Sequence, residues 1–67
     1  MNARETGSAF RHQSHRLIGQ QVVDTRSLRE GELRAVLVEE NGDLTAYIRG
    51  GDHREFDVPL NCIRRAQ

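Results

Sequence analysis

The chain has 67 residues, ten basic and ten acidic side chains, a formal net charge of zero and a single cysteine. A chain of this length forms one small domain at most, and one cysteine excludes both an internal disulfide framework and a cysteine-rich zinc site. The balanced charge argues against nucleic acid as the main partner, because dedicated nucleic-acid-binding domains usually carry a basic excess. Neither a signal peptide nor a membrane-spanning segment is predicted, so we expect a cytoplasmic protein with no membrane partner.

Residues 1–15 show neither the alternation of a strand nor the stripe of a helix, and they predict a flexible N-terminal arm. Phe10 is the one large apolar side chain of the arm after Met1, and it could dock on the domain or on a partner. His12 and His15 have a spacing that would suit a metal ion on a helix, but no third ligand accompanies them. The sequence therefore predicts no metal site and no cofactor.

Residues 16–67 are predicted to form one all-β domain. It opens with a short strand over 21–26, which is rich in β-branched residues and points Val22 inward. A loop over 27–31 follows, in which Leu28 is expected to pack beneath the domain.

The segment 33–49 predicts a β-hairpin that turns at Asn41-Gly42, since this dipeptide favours a two-residue type I′ loop. Such a loop would place Arg34 directly opposite Arg49. Because successive side chains of a strand point to opposite faces, the loop also assigns the two faces of the hairpin. The predicted core face contains Leu33, Ala35, Leu37, Leu44, Ala46 and Ile48, with Glu39 as its one charged member near the turn. The other face contains Arg34, Val36, Val38, Glu40, Thr45, Tyr47 and Arg49.

This second face is mixed in character. Val36 would lie opposite Tyr47, which is a favourable aromatic–β-branched pair. The two arginines beyond that pair would repel each other unless a carboxylate or a partner lay between them. One interpretation is a solvated face whose arginines are neutralised by neighbouring acids. The other is a partner-binding patch made of Arg34, Val36, Val38, Tyr47 and Arg49.

A second hairpin follows, and its loop is predicted to contain three residues, 51–53. That length pairs Ile48 with Phe56, whereas a two-residue loop would bury Glu55. A glycine is expected to supply the unusual φ that such a loop requires. Glu55 and Asp57 would then face outward beside the arginines.

Pro59 ends the next strand because it has no N–H to donate to a ladder. A 3₁₀ turn over 60–62 and a closing strand over 63–65 complete the domain. Cys62 in this turn is predicted to be a small, partly buried apolar group and not a nucleophile. The short strands, tight central hairpin and proline-led turn predict a small SH3-like five-stranded barrel with a flexible N-terminal arm.

Two segments of the chain resemble the PRC-barrel family. Leu-Ile-Gly-Gln-Gln-Val-Val-Asp at 17–24 is similar to the family's opening Leu-Ile-Gly-x-x-Val-x-Asp, and Val-Pro-Leu-Asn-Cys-Ile at 58–63 is similar to its closing Val-Pro-Leu-x-x-Ile. The run Gly-Asp-His-Arg-Glu-Phe-Asp at 51–57 also resembles a run in small uncharacterised actinobacterial barrel proteins. These resemblances imply a bacterial protein with a PRC-barrel-like fold. They also imply an adaptor role, in which the protein binds other proteins.

The sequence thus predicts a non-enzymatic interaction module that binds a protein partner or a second copy of itself. The alternative is an accessory protein that binds single-stranded RNA or DNA, with arginines on phosphates and Tyr47 stacked on a base. The arginines of that alternative are Arg11, Arg16, Arg34, Arg49, Arg64 and Arg65. No catalytic residue is predicted, because the potential acids and bases are scattered. The identity of the partner, the oligomeric state and the pathway stay open at this point.

Overall fold

A computed structural model describes residues 11–66, and this part of the chain is all-β, with six strands in one antiparallel sheet. The strands are β1 (Arg11–His12), β2 (Gln21–Asp24), β3 (Glu30–Val38), β4 (Leu44–Gly50), β5 (Glu55–Pro59) and β6 (Ile63–Arg65). Their order across the sheet is β5-β4-β3-β2-β6, and β1 pairs with β3. The predicted 3₁₀ turn is present and joins β5 to β6. Within residues 11–66 no ladder closes the sheet on itself.

The core lies on one face of the sheet and is small. Its buried side chains are Leu17, Val22, Leu33, Val36, Ala46, Ile48 and Val58. Four half-buried side chains, Leu44, Phe56, Leu60 and Ile63, pack against them. Removing this apolar surface from water contributes roughly 25 cal/mol per Å². The inward position predicted for Val22 is confirmed.

The hairpin between β3 and β4 is present, but its loop is one residue longer than predicted. The N–H of Gly42 donates to the carbonyl of Glu39 at 2.8 Å, and the N–H of Glu39 donates to the carbonyl of Asp43 at 2.8 Å. These bonds enclose a loop of three residues, 40–42, in which Gly42 has a φ of +93°. A type I turn followed by a left-handed residue has this pattern. The predicted two-residue type I′ turn is therefore wrong.

A β-bulge at Arg34 changes the register a second time. Leu33 pairs with Ile48, the next pair joins Ala35 to Tyr47, and Arg34 between them has no partner in the ladder. An extra residue in one strand of an antiparallel pair shifts the pairing and interrupts the alternation of its side chains. The side chains on the two sides of the bulge therefore follow different face assignments.

Beyond the bulge, the predicted faces of β3 are exchanged. Val36, predicted on the outside, is fully buried, and Val38 lies on the same face as Val36. Ala35 and Leu37, predicted in the core, are half-buried on the opposite face. The predicted faces of β4 are confirmed, since Ala46 is buried and Tyr47 is half-buried on the other side. The error is thus confined to the second half of β3.

The loop between β4 and β5 has the predicted length of three residues, 51–53. The N–H of Gly50 donates to the carbonyl of Arg54 at 2.8 Å, and the N–H of His53 donates to the carbonyl of Gly50 at 3.0 Å. The register of β4 with β5 is the predicted one, including the pairing of Ile48 with Phe56. The left-handed residue of this loop is His53, with a φ of +66°, and not a glycine as predicted.

The loop between β2 and β3 presents Leu28 to solvent. Leu28 is 70% exposed, so its predicted position beneath the domain is wrong. The Asp24 carboxylate accepts hydrogen bonds from the Ser27 hydroxyl at 2.7 Å and from the Arg26 N–H at 3.1 Å. Both hydrogen bonds hold the pKa of Asp24 below its ordinary value, and the bond from Ser27 has the larger effect.

Of the segment 1–15, predicted as a flexible arm, the structure describes residues 11–15. Arg11–His12 forms β1, which pairs with the end of β3, and the N–H of Gln13 donates to the carbonyl of Val36 at 2.8 Å. Residues 11–13 are therefore attached to the sheet. Phe10 and its predicted docking lie outside the described residues.

Candidate partner-binding face

The face of β3, β4 and β5 that points away from the core has Tyr47 at its centre. Tyr47 pairs with Ala35 on one side and with Asp57 on the other. Leu37 and Thr45 form the neighbouring pair. We call these five residues the outer face. Its apolar members are half-buried, so it offers a shallow surface of mixed character.

Carboxylates surround the phenol of Tyr47. Burial raises the pKa of Tyr47, and the negative charges of Asp57 and Glu39 raise it further. Glu39 is held in place by the Thr45 hydroxyl, which donates to its Oε2 at 2.7 Å. Two carboxylates, Asp57 and Glu39, therefore lie near the aromatic centre of the outer face, and Arg49 on the same side of β4 is paired with Glu55.

The two arginines of the predicted patch are neutralised within the chain. Arg34 Nη1 lies 3.3 Å from Glu32 Oε1, and Arg49 Nη2 lies 3.6 Å from Glu55 Oε2. Glu32, and not Arg34, lies opposite Arg49 in the ladder, so the predicted pair of facing arginines is wrong. The ion pair of Arg49 with Glu55 of β5 agrees with the interpretation of a solvated face whose arginines are neutralised by neighbouring acids. Exposed pairs of this kind contribute at most about 1 kcal/mol to stability, so their main effect is on the charge of the surface.

The structure separates the five residues predicted as a partner-binding patch. Val36 is in the core and is unavailable to a partner. Arg34 is exposed at the bulge, and Val38 is half-buried at the end of β3. Tyr47 and Arg49 share one side of β4 as predicted, because they are two residues apart in an unbroken strand.

Sequence reasoning missed two members of the outer face, Ala35 and Leu37, because it placed both in the core. The stretch 35–38 is apolar at every position, so alternation carries no information about which side is buried. Asp57, by contrast, was expected to face outward beside this surface, and it does.

The six arginines of the nucleic-acid alternative do not form one patch. Arg34 and Arg49 are in ion pairs, whereas the other four are exposed and form no ion pair with residues 11–66. These four are Arg11 on β1, Arg16 before β2, and Arg64 and Arg65 on β6. Because Arg64 and Arg65 are consecutive in a strand, their side chains leave opposite faces of the sheet.

The described residues contain no group of three or more histidine, cysteine, aspartate or glutamate side chains that could hold a metal ion. Cys62 is half-buried, with its Sγ 3.5 Å from Asn61 Oδ1. A helix with the length and apolar character needed to cross a bilayer is also absent from residues 11–66.

Comparison of the chain with known proteins gives no match. No family model fits the sequence, and neither a curated protein nor a solved structure is similar to it.

Proposed function

We propose that this chain is a non-enzymatic interaction module that binds a protein partner through the outer face. The observation that carries the proposal is the environment of Tyr47, a half-buried aromatic ring with an aliphatic rim and two nearby carboxylates. Aromatic side chains with an apolar body and a polar tip are enriched at protein interfaces. The acidic surroundings favour a partner with basic side chains at the contact.

The proposal includes the finer fold, a small SH3-like barrel of PRC-barrel type in the cytoplasm. The strand order β5-β4-β3-β2-β6 and the 3₁₀ turn between the last two strands support this architecture. Small barrels of this kind present strand faces and loops to other proteins, which agrees with the adaptor role that the resemblance implies. The proposed module needs no catalytic residue, metal ion or cofactor.

Nucleic-acid binding is a second candidate, supported by the four exposed arginines outside ion pairs, Arg11, Arg16, Arg64 and Arg65. It is the weaker candidate because Tyr47, the residue proposed to stack on a base, lies among carboxylates that repel phosphate. Any such binding would depend on the arginines of β1 and β6 and not on the outer face.

Site-specific cross-linking followed by titration tests the first candidate. A photoreactive residue at Leu37 should capture a defined partner, whereas the same residue at Asp52, in the loop 51–53, should not. The partner, once purified, should bind Tyr47→Ala about tenfold or more weakly than the wild type, as expected for an interface anchor. Circular dichroism and the melting temperature establish that the variant is folded.

The double variant Arg64→Ala/Arg65→Ala separates the two candidates. It should bind the protein partner like the wild type. Loss of binding to single-stranded RNA in this double variant, with a steep salt dependence and no effect of Tyr47→Ala, would establish the second candidate in place of the first.

A further inference from the structure

Leu28 combines exposure with an unfavourable backbone conformation. It is 70% exposed and has a φ of +66°, in the left-handed region that leucine rarely adopts. A leucine there is strained, and its side chain gains little from contacts within its own chain. Strain of this kind is concentrated at sites that bind partners or ligands. The conformation therefore favours a role for Leu28 in a contact outside its own chain.

The loop that carries Leu28 is braced at its base. The Leu28 N–H donates to the carbonyl of Asp24 at 2.7 Å. Thr25 donates twice to the carbonyl of Cys62, from its N–H at 2.8 Å and from its hydroxyl at 2.9 Å. The buried Asp24 side chain accepts the hydroxyl of Ser27 at 2.7 Å. Leu28 is thus presented by a hydrogen-bonded loop.

Two arginines flank this leucine. The Arg26 side chain is 63% exposed, and its Nε is 3.9 Å from the Asp24 carboxylate. The guanidinium of Arg29 lies 3.8 Å from the centre of the Phe56 ring. We call residues 26–29 the Leu28 tip. It is an apolar knob with a positively charged rim.

A cleft of about 500 Å³ lies between the loop 40–42 and the 3₁₀ turn. Leu44, Pro59 and Leu60 supply its apolar lining, Asp43 lies at its margin, and Thr45 of the outer face also lines it. We call it the acidic cleft.

The margin of the acidic cleft carries excess negative charge. Glu39, Glu40 and Asp43 line the adjoining concavity, and none of them forms an ion pair with residues 11–66. Arg11 of β1 pairs with Val38 of β3, next to Glu39 in the chain, and it forms no ion pair with these three carboxylates.

We infer that the acidic cleft receives the Leu28 tip of a second copy of this chain. The leucine would enter between the apolar residues, while Arg26 and Arg29 meet the carboxylates at the margin. Leu28 is not part of the lining of its own cleft, so the contact requires another copy. The cleft shares Thr45 with the outer face, but Tyr47 does not line it, so the inference concerns a further contact beyond the proposed function.

The charge balance of the chain supports this occupant. Ten basic and ten acidic residues cancel overall, whereas residues 26–29 contain two arginines and no acid, and the margin of the cleft contains three acids and no arginine. Such a contact is heterologous, so each copy keeps one free tip or cleft, and assembly proceeds head to tail. Because the contact includes exposed charges, it should weaken as salt rises.

Leu28→Gly separates binding from folding. Glycine removes the knob and relieves the left-handed strain, so the melting temperature should stay level or rise while self-association at low salt is lost. His53→Gly is the matched control, because it relieves the same strain in a loop that is outside the contact. It should raise the melting temperature and associate like the wild type. Sedimentation equilibrium and light scattering over a range of concentrations measure association.

A mixing experiment tests the head-to-tail geometry. Asp43→Arg should block the cleft and leave the tip intact, so it should be monomeric alone. Leu28→Gly has an intact cleft and no knob. A mixture of the two variants should form a 1:1 complex that grows no further, because only one tip and one cleft remain between them.

Three results would overturn the inference. They are a wild-type chain that stays monomeric at high concentration and low salt, a Leu28→Gly variant that associates like the wild type, and two variants that do not combine. A self-association that Tyr47→Ala abolishes and Leu28→Gly spares would place the contact on the outer face instead. None of these results bears on binding of a different protein by the outer face, so the two proposals can fail separately.

Discussion

The loops at the two ends of β4 have the same backbone geometry and different residues at the decisive position. Each contains three residues, and each ends in a left-handed residue that closes a type I turn. In the loop 40–42 this residue is Gly42, with a φ of +93°, and in the loop 51–53 it is His53, with a φ of +66°.

A shared side-chain contact explains why the geometry is the same. Asn41 Oδ1 accepts the N–H of Asp43 at 2.9 Å, and Asp52 Oδ1 accepts the N–H of Arg54 at 3.1 Å. Asparagine and aspartate favour turns because their side chains bond to the backbone two residues on. Both three-residue loops therefore contain this bond, whereas only the first contains an Asn-Gly dipeptide.

The largest effect is expected at Gly31. This residue pairs with Gly50 at the end of the β3–β4 ladder that is farthest from the loop 40–42. A Cβ on Gly31 would collide with the carbonyl oxygen of Arg49, and this collision would force the strands apart. Gly31→Ala should therefore cost about 3 kcal/mol or more and could leave little folded protein. Urea denaturation measures the loss. An unchanged midpoint would mean that β3 and β4 do not approach as described.

Substitutions at two neighbouring residues, Val36 and Leu37, test the register that the loop 40–42 sets. Val36→Ala removes two buried methyl groups and should cost about 2 kcal/mol, whereas Leu37→Ala on the outer face should cost less than about 1 kcal/mol. The register of a two-residue loop would bury Leu37 and expose Val36, so it predicts that Leu37→Ala costs more than Val36→Ala. Comparing the two free energies of unfolding under the same conditions decides between the registers.

The glycine in the first loop is needed for its backbone conformation. No atom lies within 4 Å of a Cβ built on Gly42, so Gly42→Val should cost about 1–2 kcal/mol from the left-handed conformation alone. Gly51→Ala is the matched control, because that glycine also has open space and its φ is not positive. A thermal melt should show a lower midpoint for the first variant only. Equal midpoints would contradict the assigned turn.

The smallest effect is the converse substitution in the second loop. His53→Gly should stabilise the protein by about 0.5–1 kcal/mol, because glycine adopts positive φ without a steric penalty. For a domain of this size, 1 kcal/mol corresponds to a melting temperature higher by roughly 4–8 °C. Differential scanning calorimetry measures the change, and a lower midpoint would show that the histidine side chain stabilises the loop by more than the strain costs.

The fold was predictable where burial left only one acceptable register. A two-residue second loop would bury Glu55, so its charge selected the three-residue loop that the structure has. The candidate site was predictable on β4, where Thr45, Tyr47 and Arg49 alternate with buried residues. It was not predictable on β3, because Ala35 and Leu37 are as apolar as the valine that is buried instead.

The sequence by itself determined the positions of β2 to β6, the two hairpins, the 3₁₀ turn and the inner face of β4 and β5, because turn residues and polar side chains constrain them locally. It did not predict β1, which lies in the segment expected to be a flexible arm. Only the tertiary structure decided which face of β3 is buried and what surrounds Tyr47. The physical reason is that Arg34 bulges from a strand whose following residues are all apolar, so packing against β4, and not local polarity, selects Val36 for the core.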